Sequence, residues 1–192
     1  MKTQKNESDI IDLAGSRRTE IETGRKDLSY RDFCGLNLTG AKLGGANLKG
    51  AGLNKASLVC ADLRAANLRW ARLNHAELKG ANLIDADLRE ASLNEAELTS
   101  SNLVRANLEK ASLIGAKLRM AKMTQCSLRG ANLWGADLTG AHLWGADLRD
   151  VLFLSGQQLQ SALINTETRL PDYIHIKWLS LDRFECIKSL AN

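Results

Sequence analysis

Three histidines and four cysteines are the residues of this 192-residue chain best suited to bind a metal ion or to act as nucleophiles. The histidines are His75, His142 and His175, and the cysteines are Cys34, Cys60, Cys126 and Cys186. No cysteine belongs to a CxxC pair or has a histidine close to it, whereas zinc ligands usually come at short, regular spacings. P-loop, GxGxxG, GxSxG and HExxH motifs are also absent from the sequence. We therefore expect no metal, no cofactor and no enzymatic activity.

The cysteines and the N-terminal sequence together suggest where the protein resides. Four cysteines without a regular framework are typical of free thiols in a reducing compartment. The first residues, MKTQKNESDIIDL, lack the apolar run of a signal peptide, and no stretch of about 18 apolar residues could span a bilayer. We expect a cytoplasmic protein that does not associate with a membrane.

A five-residue repeat organises most of the chain. Twenty-five consecutive units run from residue 26 to residue 150 without an insertion. The third position of each unit is Leu in 23 cases, with Phe33 and Met123 as the exceptions. From Ala41 onward the first position is Ala in all units except those that begin with Ser101 and Cys126. A repeat of this length and regularity is stronger evidence for the fold than the secondary-structure propensities of individual segments.

The spacing of the repeat excludes the two common regular structures. Five residues turn an α-helix through about 500°, so successive leucines would scatter around its surface. In an extended strand, an odd step would place successive leucines on opposite faces. The chain must instead bend once per unit, and Gly in the fifth position of 10 of the 25 units favours a type II turn there. Leu and the small Ala then share a narrow lumen.

The motif A(D/N)LxG, repeated from residue 41 to residue 150, resembles the pentapeptide-repeat family. The stretch LQSALINTETRLPDY after the repeat resembles the segment that follows it in many bacterial members, particularly those from photosynthetic bacteria. The resemblance covers about two thirds of the chain. It implies an all-β solenoid, a right-handed quadrilateral β-helix with four units per coil and short helical caps. Slightly more than six coils would form a tower roughly 30 Å tall, with strands about 4.8 Å apart.

The ends of the repeat divide the chain into three segments, 1–25, 26–150 and 151–192. A solenoid needs caps over its open ends. In the first segment, a short apolar helical patch is expected to cover the first coil, and it consists of Ile10, Ile11, Leu13 and Ala14. Full coils are expected to start near Leu36, because Lys26 and Arg31 do not belong in a lumen.

The C-terminal segment 151–192 is predicted to be a helical cap. Ser155 and Gln158 fit a capping box that opens one helix, and IHIKW alternates like a short strand. A second helix is expected after Ser180, with an apolar face made of Leu181, Phe184, Ile187 and Leu190. We favour a cap over an arm that binds a partner. In the alternative, this end binds a second copy of the chain and the protein is a homodimer, not a monomer.

With four units per coil, as the resemblance implies, residues twenty apart form columns on the outer surface. One column carries a candidate interaction face of basic residues, Lys49, Arg69, Arg89, Arg129 and Arg149, interrupted by Glu109. Asp87 and Asp147 lie beside it and should partly neutralise it. A solubilising face is favoured over a binding site for an acidic partner.

Two further columns carry candidate apolar contacts. One contains Ile84, Val104 and Trp144, and the column on the opposite side contains Ile114 and Trp134. Exposed tryptophan is costly, so either the C-terminal segment folds over these residues or a partner covers them. Cover by the C-terminal segment is favoured.

These observations favour a non-enzymatic structural or protein-interaction module with an unknown protein partner. Some members of the family imitate DNA and bind a topoisomerase through strongly acidic walls. Residues 26–150 instead hold 17 Lys and Arg against 13 Asp and Glu, which disfavours such mimicry. Weak binding of nucleic acid or of an acidic partner through the basic column is the other alternative, and nucleic acid is not the expected partner because a platform for base stacking is lacking.

Overall fold

The computed structural model describes residues 27–181 and 183–187, and the N-terminal cap predicted for residues 1–25 lies outside them. From Asp27 to Ser127, the second residue of every unit forms a parallel β-bridge with the residue twenty positions later. Four five-residue units therefore make one coil, and the coils stack in register. Among the described residues the bridges already include Asp27, before the start near Leu36 that the sequence suggested, because the exposed side chain of Arg31 stays out of the lumen.

Backbone hydrogen bonds run along the axis of this tower and close each corner. Leu83 N–H donates to the carbonyl of Asn102 in the next coil (2.7 Å), and Asn102 N–H donates to the carbonyl of Ala81 (2.9 Å). Ala86 N–H donates to the carbonyl of Leu83 across the corner (3.0 Å), as in a β-turn. The β-bridge, the inward leucine and the turn at the corner together require all five residues of a unit.

The fifth residue of every unit has a positive φ, between 52° at Ala65 and 70° at Gly35. Ten of these residues are the predicted glycines, and the other fifteen have side chains and occupy the left-handed region at a cost of about 1 kcal/mol each. None of the fifteen is Val, Ile or Thr. This exclusion of β-branched residues marks the corner in the sequence as clearly as glycine does.

The lumen is closed to solvent. The leucines and alanines of the central coils are fully buried, as at Leu88 and Ala86, whose exposed fractions are 0%. Ser101 takes the place of an alanine there, and its buried hydroxyl has no hydrogen-bond partner. A buried hydroxyl without a partner costs more free energy than the methyl group it replaces.

We expect Ser101→Ala to raise the free energy of unfolding by about 1 kcal/mol, because the substitution removes an unsatisfied buried hydroxyl and leaves the packing unchanged. Urea denaturation followed by circular dichroism measures this change. Ser112→Ala is the matched control, since the Ser112 hydroxyl donates to Asn94 Oδ1 on the outer surface and its loss should be neutral or destabilising. A lower stability for Ser101→Ala would contradict the prediction.

The ladder of bridges continues past residue 150, where the sequence period ends. Asn132 pairs with Leu152, His142 with Leu163 and Asp147 with Arg169, so the spacing grows from 20 to 22 residues in this final coil. Helix α1 (Gly156–Ser161) takes up the extra length. Its capping box between Ser155 and Gln158 is confirmed.

Helix α1 closes part of the tower's end. The Gln158 side-chain amide donates to the carbonyls of Leu133 and Ala136 (2.9 Å each), and Leu159 is fully buried. The contact with Ala136 satisfies a carbonyl that has no backbone donor in the final coil, whereas the Leu133 carbonyl also accepts the N–H of Ala136 across the corner (3.0 Å). The helix therefore replaces one repeat unit and covers the lumen with an apolar side chain.

A two-stranded antiparallel hairpin follows, formed by strand β1 (His175–Trp178) and strand β2 (Phe184–Ile187). The predicted IHIKW strand is confirmed, but the second helix predicted after Ser180 is wrong over β2. Phe184 contacts Trp178 edge-to-face with ring centroids 5.6 Å apart, and both side chains pack against the core. Half-buried and exposed residues alternate along both strands, so the two-residue period of a strand applies to this segment and the helical spacing does not.

Across the described ranges, every helix is too short or too polar to traverse a lipid bilayer.

Candidate protein-interaction walls

The tower has four outer walls, each made of every fourth unit and named here after its fourth-position column. The arginine wall carries the column Lys49, Arg69, Arg89, Glu109, Arg129 and Arg149, and the asparagine wall carries Asn54, Asn74, Asn94, Ile114 and Trp134. The threonine wall carries Thr39, Val59, Lys79, Thr99, Arg119 and Thr139, and the aliphatic wall carries Arg64, Ile84, Val104, Thr124 and Trp144.

Two arginines of the arginine wall are held by carboxylates of their own units. Arg89 donates two hydrogen bonds to Asp87 (2.8 and 2.6 Å), and Arg149 donates two to Asp147 (2.9 and 2.6 Å). The hydrogen bond from Arg149 lowers the pKa of Asp147. These two arginines are thus oriented along the wall by aspartates two residues earlier in the chain.

The other cations of the column also have partners. Arg129 pairs with Asp150 (2.9 Å) and Arg69 lies 3.6 Å from Glu90. Lys49 and Arg69 both stand over the ring of Trp70, at 4.6 and 5.0 Å from its centroid, which is cation–π geometry.

The described residues of the arginine wall are electrically balanced. They contain six basic side chains and six acidic ones between residues 27 and 150. The basic residues form one column, but its charge is matched within the same wall. Lys49, Arg69, Arg89, Arg129 and Arg149 therefore do not create the strongly positive field that captures a polyanion.

The aliphatic wall carries a half-buried apolar column that ends in an exposed tryptophan. Ile84 and Val104 are partly exposed, and 45% of Trp144 is accessible. The His142 ring lies 5.7 Å from the Trp144 ring, and Leu163 follows His142 in the final coil. The apolar surface thus continues to the C-terminal end of the tower.

The asparagine wall changes character along its length. Asn74 N–H donates to Asn54 Oδ1 and Asn94 N–H donates to Asn74 Oδ1, each at 3.0 Å, which forms an amide ladder. Above this ladder lie Ile114 and Trp134, and Trp134 is 63% exposed. Leu152 and Phe153, 49% and 63% exposed, extend this second apolar surface.

Cover of Trp134 and Trp144 by the C-terminal segment, the arrangement favoured from the sequence, is contradicted for the described residues. The final coil and the hairpin pack across the end of the tower, because their inward side chains complete the lumen. They leave both indole rings accessible on opposite walls. Sequence reasoning also missed Leu152 and Phe153, which lie just beyond the last regular unit.

The histidines and cysteines do not converge. Among the described residues, no group of three His, Cys, Asp or Glu side chains could hold a metal ion. His75 lies 3.4 Å from Glu95 on the outer surface. Cys126 lies in the lumen, where burial raises the pKa of its thiol to about 12. This thiol is therefore protonated and inert in the folded protein.

We expect Cys126 to resist maleimide at pH 7.5 while the exposed thiols of Cys34 and Cys60 react. In 6 M guanidinium chloride, Cys126 should be modified as completely as the other cysteines. Peptide mass spectrometry after timed labelling measures each site. Rapid modification of Cys126 in native buffer would show that the lumen is open to solvent.

Stacked coils around a dry lumen, with four side-chain walls, define a β-solenoid repeat protein. A family model described as pentapeptide repeats matches the chain in eight copies, over residues 32–69, 66–103, 91–130 and 121–153. The chain belongs to the pentapeptide-repeat family.

Solved structures of the family are similar to this chain. HetL from the cyanobacterium Nostoc sp. strain PCC 7120, which is involved in heterocyst differentiation regulation, is 30% identical over 81% of this chain and 79% of its own, with a TM-score of 0.41. QnrB1, a plasmid-mediated fluoroquinolone resistance protein, is 17% identical over 77% of this chain and 85% of its own, with a TM-score of 0.52. A pentapeptide repeat protein from the Arabidopsis thaliana thylakoid lumen is 28% identical over 70% of this chain and 74% of its own, with a TM-score of 0.31.

The likeness to QnrB1 supports the fold alone. No curated protein sequence shows significant similarity to the chain.

Proposed function

We propose that the protein is a non-enzymatic interaction scaffold, in which a right-handed quadrilateral β-helix presents apolar columns to a protein partner. The observation that carries this proposal is the exposure of Trp134 (63%) and Trp144 (45%) on opposite walls. Tryptophan is one of the three residue types, with tyrosine and arginine, that are enriched at the energetic centres of protein interfaces. An accessible indole on a rigid surface is therefore a candidate anchor for a partner.

The backbone beneath these side chains favours binding over rearrangement. Leu143, beside Trp144, donates its N–H to the carbonyl of Leu163, and the carbonyl of Trp144 accepts a hydrogen bond from Gln125 N–H (2.8 and 2.9 Å). Each central unit is tied in this way to the coils before and after it. A surface held in one conformation loses little entropy when a partner binds.

We assign the basic column a structural role. Its cations pair with carboxylates or stack on Trp70 and so leave little net charge for a partner. Arg89 and Arg149 pair within their own units, whereas Lys49, Arg69 and Arg129 contact residues of the next coil and help to hold the coils together. The same balance gives no support to the DNA-mimic alternative, since a mimic of a polyanion needs a strongly acidic wall. Trp70 offers a single indole on this wall, which is too little for base stacking along a strand.

We infer that the C-terminal hairpin is a cap and that the protein is a monomer. Ile176, Trp178 and Phe184 face the core, while the outer side of the hairpin carries His175, Lys177 and Glu185 together with the half-exposed Ile187. A largely polar outer side is typical of a terminal cap in a solenoid. The free thiols of the described cysteines support a location in the cytoplasm.

Affinity capture from the cells that produce the protein tests the proposal. We expect wild-type protein to retain a specific partner, and Trp144→Ala or Trp134→Ala to lower the yield at least about tenfold, the effect of losing roughly 1.4 kcal/mol. The double reversal Arg69→Glu/Arg89→Glu is the matched control and should keep the partner. All variants should retain the wild-type circular dichroism spectrum.

Two results would overturn this assignment. Capture that survives both tryptophan substitutions would show that the apolar columns are not the contact. If only the charge-reversed variant loses the partner, the partner binds the arginine wall.

A further inference from the structure

We propose that the partner segment on the aliphatic wall is an acidic amphipathic α-helix that lies along the tower axis. This inference rests on the proposed function and specifies the partner's chemistry. Three observations support it: the spacing of the apolar column, the pairing of the wall's backbone N–H and C=O groups with neighbouring coils, and the charge beside the column.

The spacing of the column matches a helix. Ile84, Val104 and Trp144 lie in one column with Thr124, and successive members are one coil apart, about 4.8 Å. A helix lying along the column presents its stripe once per turn, about every 5.4 Å, so the mismatch is about 0.6 Å per coil. Same-face side chains of an extended strand recur about every 6.6 Å, which is a mismatch of about 2 Å per coil. A helix of three to four turns therefore keeps contact with all four coils, and a strand does not.

The wall also has no backbone edge for a strand to join. Val104 O accepts a hydrogen bond from Asp85 N–H, and Arg105 N–H donates to the carbonyl of Thr124 (3.1 and 3.0 Å). These bonds run between coils within the wall. A partner at the aliphatic wall meets side chains only, which excludes β-augmentation and favours an element with its own internal hydrogen bonds.

The charge beside the column is positive. Between residues 41 and 145 the aliphatic wall holds four basic and two acidic side chains, which are Lys42, Arg64, Arg105 and Lys122 against Asp62 and Asp85. Both carboxylates are consumed within the wall: Asp62 accepts two hydrogen bonds from Arg64, and Asp85 accepts two from Arg105. The surplus positive charge remains for a partner.

Lys122 is the cation placed to use that surplus. Its side chain is exposed, and its backbone forms β-bridges with Asn102 in the coil before and His142 in the coil after. Lys122 belongs to the same unit as Thr124 and precedes it by two residues, so both lie on the aliphatic wall. Within residues 27–181 it makes no ion pair with a carboxylate. A glutamate or aspartate beside the apolar stripe of a docked helix would supply that pair.

A defined peptide tests the proposal. The probe is a synthetic peptide of about 15 residues with leucine at helical spacing and glutamate on both sides of the stripe, labelled for fluorescence anisotropy. We expect it to bind the full chain at least about tenfold more tightly than the same peptide with lysine in place of glutamate. Lys122→Glu should weaken binding about tenfold, and Val104→Glu should abolish it. Lys117→Glu, on the threonine wall, is the matched control and should leave binding unchanged.

A photoreactive amino acid at position 104, with position 99 on the threonine wall as control, separates the two proposals. Crosslinking from position 104 to acidic segments of helical period in the producing cells supports both. Crosslinking there to basic or aperiodic segments, or equal binding of the two peptides, overturns the helix inference and leaves the interaction wall standing. If position 104 crosslinks no more than position 99 and the tryptophan substitutions do not affect capture, the proposed function falls as well.

Discussion

Replacement of Leu88 by aspartate is expected to abolish folding of the tower. Leu88 is fully buried in a central coil, residues 86–105, whose lumen is lined by leucine and alanine side chains and the hydroxyl of Ser101 and holds no cation to pair with a carboxylate. An isolated carboxylate in such a place must either be desolvated or be protonated, and both cost several kcal/mol. Because a domain of this size is stable by only about 5 to 15 kcal/mol, one substitution suffices.

Circular dichroism and thermal denaturation measure this effect, and a milder variant calibrates it. Leu88→Ala should remain folded and lose about 2 to 5 kcal/mol through the cavity it leaves. Met120→Asp is the matched control, since it introduces the same carboxylate at a 56% exposed corner with φ 55°, a conformation that aspartate tolerates. A folded Leu88→Asp protein with near-normal melting would refute the dry lumen.

Deletion of residues 81–100 should give a folded protein that is one coil shorter. The deletion removes one complete coil, so every remaining residue keeps its wall and its position in the unit. A solenoid's stability is close to a sum over coils and their interfaces, so the shortened protein should lose part of its stability but keep its cooperative transition.

Deletion of Glu90 alone should be far more damaging than deletion of twenty residues. The unit would keep four residues for a bridge, an inward leucine and a turn that together need five, and Glu90 is the corner residue, with φ 57°. The break would separate the coils before it from those after it. An insertion is tolerated more easily, as α1 shows in the final coil, because extra residues can leave the ladder as a loop or helix.

Maleimide protection of Cys126 distinguishes the two deletions. In the protein without residues 81–100, the thiol should stay protected as in the wild type, and in the protein without Glu90 it should react in native buffer. Equal melting temperatures for the two deletions would contradict the requirement for five residues per unit.

The C-terminal hairpin shows why the sequence predicted the wrong element after Ser180. Leu181, Phe184 and Ile187 have the spacing of a helix face, but Phe184 and Cys186 also alternate with Glu185 as in a strand. Periodicity alone could not choose between these readings of so short a segment. Strand β1 provides the backbone partner, and the tower's end provides the apolar surface for Phe184, so the strand forms.

The basic column shows a second limit. Its vertical alignment follows from a regular repeat, but its electrostatic character depends on pairs between residues that are two or about twenty positions apart. Whether Arg129 lies free or bonds to Asp150 is decided by side-chain geometry on the assembled wall. The same holds for Trp134 and Trp144, whose exposure depends on the path that the C-terminal segment takes.

The sequence by itself determined which residues of the repeat face the lumen and where the chain bends, since both are local properties that recur every five residues. Leu and Ala at fixed positions, and corner positions without β-branched residues, contain that information in each unit. Only the tertiary structure decided how the walls are charged, which apolar columns stay accessible and how the end is closed. These properties arise between coils, where contacts join residues that no short stretch of sequence holds together.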